Sequence, residues 1–243
     1  TYDLFSGVDS LIDKSIEEDY QLPSMTLTYL PEFDENLQIR LGASQTIARP
    51  TFRELSPTLF IDVDTDRVIA GSLYLENSEI DNIDLRLEYY FGFNQFFTAG
   101  IFSKEILNPI EETVNESGDL IITSYQNVPL AEINGFEIEY EQVFEAIMDS
   151  PNDLLVKFNY TETESEVIVN PGDTYINSIG TVVDAQSLLA NGRDTRLQGQ
   201  SDTIANFQIG LDNLQNQTQA TLIVNYVSCL LYTSPSPRDR IAS

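Results

Sequence analysis

Residues 83–91 read Ile-Asp-Leu-Arg-Leu-Glu-Tyr-Tyr-Phe, and their spacing decides the fold. Ile83, Leu85, Leu87, Tyr89 and Phe91 take every second position, with Asp84, Arg86, Glu88 and Tyr90 between them. Side chains of an extended chain alternate between faces, so this segment presents one apolar face and one charged face. The same period recurs on both sides of it. Met25, Leu27 and Tyr29 alternate with polar residues, as do Leu37, Ile39, Leu41 and Ala43. So do Phe136, Ile138 and Tyr140, then Ala205, Phe207, Ile209 and Leu211, and then Leu222, Val224 and Tyr226, though Ile223 breaks the last pattern. Helical periodicity of comparable length is absent, which predicts an all-β chain.

The connections fall into two classes. Turn residues fill short links at 31–36, 92–95, 145–153 and 212–216, while long polar links occupy roughly 47–80, 107–130 and 161–202. An acidic stretch, 6–20, precedes the first full strand. Short and long links alternate, and the strands between them run about 10 residues, the length that crosses a bilayer. Long structureless links are uncommon in a soluble sandwich, whereas an outer-membrane barrel alternates short periplasmic turns with long extracellular loops. The polar face carries Arg40, Arg86, Glu88, Glu137 and Glu139 deep within strands, as a wet or plugged lumen would allow. Tyr29, Tyr89, Phe91, Tyr140, Tyr160 and Tyr226 are expected near strand ends, where an interfacial aromatic girdle lies.

Composition narrows the function. The 243 residues hold 12 Lys+Arg against 39 Asp+Glu, a formal net charge of −27. A surface this acidic repels a phosphate backbone, so nucleic acid is excluded as a partner. The absence of His removes imidazole zinc sites and Ser-His-Asp chemistry, and a single Cys cannot form an internal disulfide. No apolar run is long enough for a transmembrane helix, and residues 1–20 lack the regions of a signal peptide. A barrel survives these exclusions because alternation hides its apolar face.

At residues 37–57 the pattern becomes more specific. Here Ser44, Thr46, Arg49, Pro50, Phe52 and Glu54 form a Ser-x-Thr-x-x-Arg-Pro run followed by an aromatic and an acidic residue. This resembles the strand-and-loop signature of TonB-dependent outer-membrane receptors. Residues 84–91, 97–107 (with Ser103-Lys104-Glu105), 134–140 (Asn-Gly-Phe-Glu-Ile-Glu-Tyr) and 221–226 resemble later strands of that family, in family order. The wording Thr-Ile-Ala-Arg-Pro-x-Phe at 46–52 is most like the oligosaccharide-uptake branch, and siderophore receptors share much of it.

The resemblance implies an antiparallel transmembrane β-barrel fragment, an open curved sheet of about eight strands from a 22-stranded barrel. It implies residence in the bacterial outer membrane, in contact with its lipid, and active import of a bulky nutrient, an oligosaccharide or siderophore-type ligand. The family's plug domain, expected to be absent from this fragment, would gate the lumen and contact TonB. No cofactor, metal or catalytic residue is implied. A soluble or secreted β-rich binding protein (adhesin-like or lectin-like) and a passive porin are the alternatives. Residues 1–228 are thus expected to be barrel. Residues 229–243, opening Cys229-Leu-Leu-Tyr-Thr-Ser-Pro, look like a translated sequencing adaptor and are expected to be non-native. Pro235 and Pro237 would leave two gaps on one strand edge.

Several constellations remain. Asp62, Asp64 and Asp66 have the opening spacing of a calcium loop, but Arg67 and Leu73 stand where an EF-hand needs Gly and Glu. Glu137, Glu139 and Glu141 share one strand face; lumen lining suits them better than glycoside chemistry, with Arg40 or Arg86 as counter-charges. Arg49-Pro50 ends a strand, and Arg49 is expected to pair with Glu54. Arg49, Phe52, Arg53, Tyr74, Tyr125 and Tyr175, all in long links, are the candidate ligand-binding residues, the aromatics because their rings stack on sugars.

Overall fold

A computed structural model describes residues 19–62, 67–117, 120–145, 152–192, 196–213 and 215–228. Eight strands form one antiparallel sheet: β1 (Ser24–Tyr29), β2 (Leu37–Ala48), β5 (Ser78–Gly92), β6 (Gln95–Leu107), β9 (Leu130–Phe144), β10 (Asn152–Ile168), β13 (Thr203–Asn213) and β14 (Thr218–Val227). They lie in that order, each beside the next in this list. The expected alternating segments all fall within these strands. The sheet does not close on itself, as suits a fragment of a barrel.

Register joins the sequence pattern into continuous faces. Tyr29, Ile39, Leu87, Ala99, Ile138, Tyr160, Ala205 and Tyr226 are directly paired across all eight strands, so they share one row and one face. Leu37, Tyr89, Phe97, Tyr140, Phe158, Phe207 and Val224 form the next row. This apolar face is uncovered among the described residues: Leu27, Leu41, Ile83, Leu85, Ile101 and Leu222 are all exposed. A single wet sheet could not leave so large an apolar patch in water.

The rows are slanted against the sheet's edges. Tyr29 is the last residue of β1, at the short-turn edge, whereas Tyr226 stands 226 − 218 = 8 residues from the start of β14. Eight residues at about 3.3 Å over seven steps of about 4.8 Å is a slant of roughly 40°, within the range of transmembrane barrel strands. The slant sets Tyr29 and Tyr226 at opposite edges of the sheet. Tyr89, Phe91 and Tyr140 cluster toward the short-turn edge, with ring centroids 5.3 Å (Tyr89–Phe91) and 6.2 Å (Phe91–Tyr140) apart. Tyr160, expected near a strand end, is mid-strand instead, because β10 continues to Ile168.

The long links are not structureless, which corrects the expectation of plain loops. Link 47–80 holds a one-turn helix, α1 (Phe52–Leu55), and strands β3 (Phe60–Asp62) and β4 (Arg67–Ile69). Link 107–130 is a hairpin of β7 (Ile110–Ser117) and β8 (Leu120–Asn127). Parallel pairing of Val68 with Ile122 and Ile69 with Thr123 joins the two links into one four-stranded sheet, β3-β4-β8-β7. Link 161–202 adds a small hairpin, β11 (Thr174–Ile176) with β12 (Val182–Asp184), and a 3-10 helix, Ala185–Gly192. Val128, Ala185 and Leu188 form a buried cluster with Val167, Val169 and Tyr175 packed against it. The three links therefore make one head at the long-link edge. Gly71 is needed in it, since a Cβ there would stand 2.4 Å from the Glu54 carbonyl and 2.6 Å from Ser56 N.

Asp64, Asp66, the tail 229–243 and the acidic stretch 6–18 lie outside the described residues.

Candidate ligand-binding site

The face opposite the apolar one carries the charges. Thr28, Arg40, Arg86, Gly100, Glu137 and Thr161 form one row, and Gln38, Glu88, Thr98, Glu139 and Asn159 the next. Register alone thus brings Arg40, Arg86, Glu88, Glu137 and Glu139 onto one face. Glu88 is almost fully buried, 3% exposed, and its carboxylate accepts from Gln38 Nε2 (3.2 Å), Arg40 Nη2 (3.4 Å) and the Tyr90 hydroxyl (2.7 Å). Burial of a charge demands such partners. Arg86 reaches over Gly100 to Glu137 at 2.5 Å, and Lys157 pairs with Glu141 at 2.8 Å. Of the two expected counter-charges, Arg86 pairs with Glu137 of that strand, whereas Arg40 pairs with Glu88.

In the head, Thr51 caps α1 through a capping box: the Thr51 N–H donates to Glu54 Oε2 (2.6 Å) and Glu54 N–H to Thr51 Oγ1 (3.4 Å). This overturns the expected Arg49–Glu54 pair, because the cap already uses the Glu54 carboxylate and Arg49 makes no ion pair among the described residues. Arg53 donates to Asp62 at 2.8 Å and stands 4.6 Å from the centroid of the Phe60 ring. The Asp62 bond holds the Arg53 pKa above its ordinary value. Tyr125 shares this environment; burial first, then the Glu112 charge, raises its phenol above the usual range.

The other candidates scatter. Phe52 is 88% exposed. The Tyr74 ring lies against Gly180, where a Cβ would come within 2.5 Å of it. Tyr175 is spent on the head's apolar cluster.

A cavity of about 720 Å³ lies between the charged face and the head. Phe102, Ile106, Ile133 and Ile204 contribute apolar walls, and Arg49, Thr51, Lys104, Gln198 and Gln200 polar ones. Residues 197–201 border it as a strap, tied down by Gln198. That side chain accepts from Glu112 N–H (3.1 Å) and donates to the Glu112 carbonyl (3.0 Å), imitating a strand partner for β7. Of the sequence candidates only Arg49 lines this cavity. Nothing in the sequence pattern marks Gln198 or Gln200 for binding, and Lys104 is legible only as a charge at the loop-side end of an alternating strand.

An amphipathic antiparallel sheet, apolar and bare on one side, charged and roofed by a head on the other, is the wall of a transmembrane β-barrel. The chain belongs to the family of TonB dependent receptor-like β-barrels, which its sequence matches over residues 2–228. This is an outer-membrane receptor family and not an enzyme family. Among solved structures, the chain is similar to the siderophore receptor PirA from Pseudomonas aeruginosa, with a TM-score of 0.52 at 13% identity. That match covers 85% of this chain and 34% of PirA. A mutant of the ferric enterobactin receptor PfeA from the same organism gives 0.49 at 15% identity over 85% of this chain and 27% of that one. The chain therefore spans about a third or less of the receptors it matches. Among curated protein sequences, none matches it.

Proposed function

We propose that this chain forms part of the wall and the ligand-capturing head of an outer-membrane active transporter that imports a bulky nutrient with energy from TonB. One observation carries the reading: long links gather into a head on the same side of the sheet as the charged face. A barrel built this way sets its capture surface over its own lumen. Leu85 and Ile138 then face lipid, while Arg40, Arg86, Glu88, Glu137 and Glu139 face the lumen and the plug, and residues 1–228 act as one barrel segment. A passive porin would need a lumen open to water, whereas the receptor family to which the chain belongs favours a plugged one. The family match and the slanted rows count against a soluble sandwich.

Both oligosaccharide and siderophore-type ligands suit a head of mixed charge and aromatic content. The test is uptake by cells that carry the intact receptor, with and without TonB. Nutrient accumulation that requires TonB supports the proposal; equal accumulation without it would point to a porin.

A further inference from the structure

The chain is strongly acidic, and its few cations are mostly spent. Arg40, Arg53, Arg67, Arg86, Lys157 and Arg196 are each paired with a carboxylate. Among the described residues, the two cations without a carboxylate partner are Arg49 and Lys104, and both line the cavity beneath the strap. Lys104 is held there by a neutral contact, donating from Nζ to Asn82 Oδ1 at 3.0 Å. Two carboxylates on the same wall, Glu54 and Glu111, accept backbone N–H groups from Thr51 (2.6 Å) and Gln198 (3.3 Å). A third donor, Gln200 Nε2, is buried with no partner.

The geometry points to an anion-binding site: Arg49 and Lys104 hold an anionic oxygen group, a carboxylate or its equivalent, of a ligand whose less polar body lies on Phe102, Ile106 and Ile133. This rests on the transport reading and narrows the ligand. The net charge of −27 does not oppose it. Repulsion from distant carboxylates is screened over about 8 Å at physiological salt, so the nearest charges decide. Lys104 is half-buried while Arg49 is exposed, so the Lys104 ammonium, less screened by water, makes the stronger contact and the Arg49 guanidinium adds a charge-assisted one.

The experiment uses the full-length receptor, plug included, purified in detergent. Binding of trigalacturonate, ferric citrate and neutral maltotriose is measured by calorimetry for the native protein, R49Q, K104Q and the double variant. At least one anionic probe should bind the native receptor. Each single change should weaken it about tenfold, the double change should abolish it, and added salt should weaken the native site. Trigalacturonate binding identifies a sugar acid, and ferric citrate binding an iron chelate. The site is overturned if neither anionic probe binds the native receptor, if maltotriose is preferred, or if the double variant binds unchanged. It is also overturned if the variants leave binding intact but loosen the plug and raise passive permeability, for then the cavity holds plug. Heat-modifiable migration of each variant reports separately on the barrel: a receptor that never inserts contradicts the transport reading, whereas an inserted barrel with unchanged affinity contradicts only this site.

Discussion

Arg86 and Glu137 form an ion pair although β6 runs between their strands, because the residue between them is Gly100. Any Cβ at that position would stand 3.4 Å from Glu137 Cγ and 3.5 Å from the Leu85 carbonyl. Gly100→Val should therefore block the bridge without disturbing the apolar face. Because Arg86 is 34% and Glu137 39% exposed, the pair contributes less than about 1 kcal/mol. A double-mutant cycle of Arg86→Leu and Glu137→Leu should show that small coupling when glycine is kept between them, and none when the cycle is repeated on the Gly100→Val variant.

The opposite face should be far less tolerant. Leu85 neighbours Arg86 in sequence, yet it sits in the apolar row with Leu41, Ile101 and Phe136. Leu85→Arg should cost about 2–4 kcal/mol near the bilayer midplane, several times the effect of Arg86→Leu. Folding of the intact receptor into lipid vesicles measures both; equal tolerance would mean the faces are wrongly assigned.

The head should fail independently of the wall. Gly71 lets the chain leaving β4 cross the end of α1, where Gly71 N–H donates to the Ser56 carbonyl at 2.7 Å and Ser72 N–H to the Glu54 carbonyl at 2.7 Å. Gly71→Val should break that crossing and open links 47–80 and 107–130 together to protease, since β4 and β8 are paired. Outer-membrane insertion should stay normal. Cleavage confined to link 47–80 would argue against a joined head.

Joined links also change how specificity can be moved. Swapping 47–80 and 161–202 alone would leave β4 without β8 and Gln198 without β7. Transfer of ligand preference to another receptor should need all three links, and uptake assays of the two-link and three-link chimaeras should separate the cases.

Alkaline pH should loosen the head through Tyr125. Its phenol is raised above 10.0, chiefly by burial, so the folded state favours the neutral form. Its contribution to stability is whole below the ordinary tyrosine pKa and is lost as pH rises through the higher folded value, where the unfolded chain binds fewer protons. Protease resistance of the head should fall above about pH 10, and less steeply in Tyr125→Phe.

How far this was legible depended on water and lipid. Wherever a strand lies in the membrane, one face must be apolar, and Ile83–Phe91 or Leu37–Ala43 announce themselves by alternation. β10 is readable only to about Tyr160. Beyond it, Thr161 to Glu166 is polar on both faces, because the strand has risen into the head and has no lipid to meet. The three-residue strands β3, β4, β11 and β12 are too short to show a period, and the parallel β4–β8 pairing joins residues far apart in sequence. The site suffers similarly. Arg49 stood out through its motif, but nothing local to Lys104 or Gln198 reveals that a strap and a strand enclose them.

The central claim is that one face of this sheet meets lipid and the other a filled lumen. The most direct measurement places a nitroxide spin label at Leu87, then at Glu88, in the intact receptor in bilayers, and compares collision with oxygen and with a water-soluble nickel complex. The label at Leu87 should collide with oxygen and be shielded from nickel, and the label at Glu88 should be shielded from oxygen. A Leu87 label open to nickel, or no alternation between the two positions, would contradict a transmembrane wall.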